Sequence, residues 1–73
     1  MASPQMRDQI ERGFTYHAPK NDQNARYTMI RSSAKALAMI VAEKTPASRE
    51  QSLAIMKLEE AVFWANAAIA RNE

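Results

Sequence analysis

The sequence predicts an all-α protein: a short N-terminal helix followed by an antiparallel αα-hairpin, one domain of 73 residues that assembles as a homo-oligomer. Three observations carry this. Apolar residues return at helical spacing along three segments. A joint of about five residues, KTPAS, separates the two longer segments and folds them back on each other. The last segment is apolar on more sides than one neighbouring helix can cover.

The first helix is read over residues 3–13. Ser3 is a natural N-cap, and Pro4 suits the first helical position, where its missing N–H costs nothing. Met6, Ile10 and Phe14 recur on one face, and Gly13 stands where a helix commonly ends. So short a helix is marginal alone in water. It is expected to form by docking that stripe, with Phe14 in the core.

The second helix is read over residues 22–43, with Asp22 as N-cap. At about 100° per residue, Met29, Ile30, Ser33, Ala34, Leu37, Ile40 and Val41 gather on one side. Tyr27, Thr28, Arg31 and Lys35 lie roughly opposite. Pro46 disfavours helical geometry at Thr45 and stops the helix.

Ser48 and Gln51 have the form of a capping box and open the third helix, read over residues 48–71. Ile55, Leu58, Ala61, Val62, Ala65 and Ile69 form the stripe expected to pack on helix two. Met56, Phe63, Ala67 and Ala70 make a second stripe, and Leu53, Trp64 and Ala68 a third flank. Small residues along this helix permit close approach of another. The expectation is self-association beyond a dimer.

Composition narrows the function classes. A chain of this size hides only about 60% of the surface its unfolded form exposes, so a partner subunit is the expected remedy. There is no cysteine, hence no disulfide and no thiolate metal site. No apolar run approaches the roughly 18 residues of a membrane span, and the N-terminus lacks a signal-peptide core. Ten Lys and Arg against eight Asp and Glu give a net charge of +2. That excess is too small for a binder of DNA or RNA polymers, but it leaves room for a cationic pocket holding a small anion.

Catalytic machinery is hard to assemble. One histidine without cysteine gives no oriented nucleophile–base pair. Glu59 and Glu60 are adjacent and diverge on a helix. The single glycine leaves no phosphate-cradling loop, and one histidine is too few for a metal. The expectation is a non-enzyme without a cofactor.

Binding groups are easier to find. Tyr16, in the stretch FTYHAPKND, offers a ring on which a nucleobase can stack, worth about 1–3 kcal/mol per base. Arg31 carries a planar fork matched to phosphate oxygens, Lys35 adds charge one turn on, and Thr28 supplies a hydroxyl one turn earlier. His17 and Lys20 lie near Tyr16 in the sequence. Together these describe a receptor for a small, phosphorylated, base-containing ligand. A tyrosine packed against the hairpin and a solvated cationic face account for the same residues.

The runs FTYHAP, Gln23, RYTMIR and SREQSLAIMKLEEAVFWANAAIARN carry a family resemblance over residues 14–72. The chain resembles the phage cyclic-nucleotide sponges that counter CBASS and Thoeris immunity and share a helical hairpin domain. The resemblance implies a small non-enzymatic hexamer acting in the cytoplasm of the infected bacterial host. It implies binding of cyclic dinucleotides such as cGAMP in pockets between protomers, with cyclic trinucleotides at separate sites in some members. For the anti-Thoeris branch it implies binding of cyclic ADP-ribose isomers. It assigns stacking to Tyr16 and phosphate pairing to Arg31, where members can carry lysine. His17, Lys20 and Thr28 match no motif residue. An oligomeric helical interaction module with no small ligand is the remaining alternative.

Overall fold

The computed structural model describes residues 1–73 and is all-helical: α1 (Pro4–Phe14), α2 (Gln23–Lys44) and α3 (Arg49–Asn72). Ser3 caps α1 as its position implies, its hydroxyl oxygen accepting the Met6 N–H at 3.1 Å. Gly13 does not end the helix. α1 runs on through Phe14 and leaves into an extended Thr15 (φ −101°, ψ 136°), a conformation open to any residue. Nor does the apolar stripe of α1 dock within the chain: Met6 and Ile10 are exposed and Phe14 is 88% exposed, so Phe14 is not in a core.

Asp22 occupies the N-cap position of α2 without capping it, because its carboxylate turns to Arg26 at 3.2 Å. The turn into α2 is closed by another pair. Lys20 N–H donates to Gln23 Oε1 at 3.1 Å, and Gln23 N–H returns a bond to the Lys20 carbonyl at 3.0 Å. Between them Asn21 sits at φ 53°, in the left-handed region that asparagine tolerates better than most residues.

At the hairpin joint, Thr45 is extended ahead of Pro46 and the Ser48 hydroxyl accepts the Gln51 N–H at 3.1 Å. The second half of the capping box is absent. Gln51 instead sends its amide across the joint to the carbonyls of Ala42 (3.1 Å) and Thr45 (3.0 Å) and to the Thr45 hydroxyl (3.1 Å). The last carbonyls of α2 have no donors within their own helix, and this side chain supplies one.

α2 and α3 pack along a narrow seam. Ile55, Leu58, Val62, Ala65 and Ile69 of α3 are buried or half-buried, with the three-and-four spacing of a coiled-coil edge. Ile30, Ala34, Ala38 and Val41 face inward from α2. Ala61, Met29, Ser33, Leu37 and Ile40, expected on the inner stripes, are exposed, while Tyr27 is half-buried. One partner helix covers a seam, not a wide face.

The chain measures 48 × 34 × 13 Å, so its thinnest dimension is close to the width of one helix. Its radius of gyration is 16.1 Å, against about 11 Å for a compact chain of this length. Ile69 and Gln23 are the only buried residues. Met29, Met39, Met56, Phe63 and Trp64 each remain more than half exposed. No helix is long and apolar enough to cross a membrane.

Candidate ligand-binding cleft

α1 extends from the hairpin near the end of α3, where Arg12 donates to Asn72 Oδ1 at 3.3 Å. Between α1, the joint that follows it, α2 and α3 lies an open cleft of about 610 Å³. That volume falls within the range that holds small organic ligands. Tyr16, His17, Thr28 and Arg31 all line it, brought together from the joint and one face of α2. Phe63 and Tyr27 add aromatic surface, and the half-buried Asn66 also lines the cleft, its side-chain oxygen buried with no partner in the chain.

The electrostatics are one-sided. Arg12, Arg31 and Arg71 line the cleft, and no carboxylate does. Arg12 is paired with Asp8 at 3.4 Å, whereas Arg31 and Arg71 form no ion pair within the chain. A weak overall excess of positive charge is thus concentrated where an anion fits. Nothing in the sequence spacing announced Arg12 or Arg71, because helical periodicity does not show how α1 sits against α3.

Two of the lining groups already have duties. His17 Nε2 bonds the Arg12 carbonyl at 2.9 Å, and since a carbonyl only accepts, Nε2 is the donor. The Thr28 hydroxyl donates to the Asn24 carbonyl at 2.9 Å, leaving its oxygen free only to accept. Tyr16, by contrast, is 83% exposed with its ring available.

Lys20 and Lys35 lie outside this cleft. Lys20 turns away to the Glu73 carbonyl and lines, with Gln23 and Glu73, a polar pocket of about 310 Å³ that adjoins the main cleft at His17, Ala70 and Arg71. Lys35 borders a groove of about 280 Å³ over Ala34 and Leu58, which meets the main cleft at Arg31. One helical turn carries Lys35 along α2 beyond the cleft wall.

The pocket that Lys20 enters is the most interlocked part of the molecule. Gln23 is only 3% exposed; its Nε2 donates to Glu73 Oε1 at 3.4 Å while Oε1 serves Lys20. Arg26 donates through both terminal nitrogens to the Glu73 carboxylate, at 2.8 Å for Nη1 to Oε2. That bond, chiefly, holds the Glu73 carboxyl down at about 2 and pushes the Arg26 guanidinium above its ordinary value. No group of His, Cys, Asp or Glu converges as a metal site.

No curated protein and no solved structure matches the chain. The family model of the Acb2/Tad1 hairpin domain does match it, over residues 6–70. The match takes in most of α1, the joint with Tyr16, all of α2 and nearly all of α3. The chain therefore belongs to the Acb2/Tad1 hairpin-domain family, the anti-CBASS and anti-Thoeris sponges of cyclic nucleotide signals.

Proposed function

We propose that this protein binds cyclic dinucleotides such as cGAMP in the cytoplasm of the infected host and withholds them, uncleaved, from CBASS-type effectors. One observation carries the reading: Tyr16 and Arg31 line a single cleft with two further guanidiniums and no carboxylate. A cyclic dinucleotide presents two phosphates and two flat bases. A phosphate suits the forked donors of arginine, and a base suits an exposed phenol ring. Absence of turnover follows the resemblance: the Thr28 hydroxyl proton is committed to a backbone carbonyl, and no cysteine or carboxylate lines the cleft to work with the His17 ring.

The binding unit in this reading is an oligomer, a hexamer as in the sponges the chain resembles. Its support is the thinness of the protomer, the exposed Phe63, Trp64 and methionines, and the open side of the cleft on which Tyr16 stands. A second copy placed there would bury apolar surface and close the site in one step.

Thermal denaturation with and without cGAMP, followed by native mass measurement, tests the proposal. A ligand that binds only the folded assembly raises the midpoint and appears at fixed stoichiometry, and it is recovered intact on heating. Cyclic trinucleotides and cyclic ADP-ribose isomers run beside it to define the class. Indifference to every cyclic dinucleotide, or recovery of a linear product, would reject it.

A further inference from the structure

Tyr16 makes no hydrogen bond of its own. What fixes it are the chain segments on either side, and both are held by two consecutive residues at the end of α3. On the near side Asn72 Oδ1 accepts from Arg12 at 3.3 Å, and the Arg12 carbonyl accepts from His17 at 2.9 Å. Asn72 is itself steadied by its Nδ2 bond to the Ala68 carbonyl at 2.9 Å. On the far side Glu73 takes Lys20 on its backbone carbonyl and Gln23 and Arg26 on its carboxylate. Gln23 completes the hold by closing the turn on the Lys20 backbone.

We propose that Asn72 and Glu73 are positioning residues, a two-point clasp that sets Tyr16 over the cleft before a ligand arrives. The inference rests on the sponge reading of that cleft. A stacking ring on a loose connection must be ordered at the moment of binding, and that ordering subtracts from affinity. Here the order is built in. The fork-to-fork pairing of Arg26 with Glu73 is geometrically specific as well as strong. Gln23, the one buried polar side chain, has both ends of its amide in use, and Arg26 Nε is the one buried donor of the network without a partner.

The test uses the full chain carrying Glu73→Ala, Asn72→Ala, both together, and Glu73→Gln, which keeps the accepting oxygen. Two readouts are taken: calorimetric Kd for cGAMP and amide hydrogen exchange. In the double variant, exchange at Gln23 and Arg26, the hydrogen-bonded amides where the joint enters α2, should quicken by about fivefold or more, and Kd should rise about tenfold. Exchange along the middle of α2 and the native mass should stay as in the parent, and Glu73→Gln, with one accepting oxygen in place of two, should fall between the parent and Glu73→Ala in affinity. Unchanged exchange at Gln23 and Arg26, an equal rise throughout α2, or quicker exchange with unchanged Kd would each overturn the clasp. A parent protein that ignores cGAMP would sink the sponge reading instead, while the exchange measurement would still decide whether Asn72 and Glu73 hold the joint.

Discussion

Arg26 and Glu73 meet fork to fork across the hairpin, each terminal guanidinium nitrogen donating to one carboxylate oxygen. This pair joins the first turn of α2 to the residue that caps α3. It closes the end of the hairpin opposite the Pro46 joint and is the closest ion pairing in the chain.

That pair sets an acid limit. The Glu73 carboxyl falls from an ordinary 4.5 to about 2 in the folded chain, mainly through the Arg26 hydrogen bond. A lowered folded value means that the unfolded chain takes up the proton first. The stabilisation is therefore complete above about 4.5 and drains away as pH falls towards 2. Thermal melts across that window should show Glu73→Gln losing less stability than the parent. Parallel curves for the two would refute the assignment.

Tyr16→Ala should weaken cGAMP binding by the stacking contribution, about 1–3 kcal/mol per base, with the native mass unchanged. Arg31→Ala should do at least as much by leaving phosphate unpaired, whereas Arg31→Lys keeps charge and loses the bidentate geometry. Calorimetry decides it. Unaltered affinity in both alanine variants would remove the cleft from the function.

Gln51 is the tie at the other end of the hairpin. Gln51→Ala deprives the Ala42 and Thr45 carbonyls of their shared donor and should cost about 1–2 kcal/mol of stability. Gln51→Glu should fare no better, because a carboxylate cannot donate. Chemical denaturation monitored by helical circular dichroism would measure both, and a loss confined to the alanine variant would contradict the donor role.

Asn21 holds the left-handed turn before α2. Asn21→Gly should be neutral or slightly stabilising, while Asn21→Val should cost about 1–2 kcal/mol from the clash of its branched side chain. A valine variant as stable as the parent would show that the turn relaxes to another conformation.

The elements that sequence made legible are those governed by neighbours in the chain. Ser3, Pro46 and Ser48 act within four residues of themselves, and the helix ends follow. The seam of α3 was legible from its period. α2 was read half a face off, because its apolar residues spread over more sides than α3 covers, so Met29 and Ile40 competed with the true seam around Ile30 and Ala34. Arg12, Arg71, Gln23 and Glu73 owe their roles to segments far apart in the sequence. No spacing rule reports that Glu73 returns to Lys20. For the same reason Lys20 was grouped with Tyr16, its neighbour in sequence, although its ammonium serves the other side of the joint.

A sheet of helices only 13 Å through has nowhere to put an inside. In the assembly proposed, the oily interior is common property, owned by the contact and by no copy alone. Resistance to heat would then climb with the quantity of protein made, and a diluted sample would soften before it lost its ligand by simple mass action. How much of the chain has been synthesised would set how well each molecule of it works.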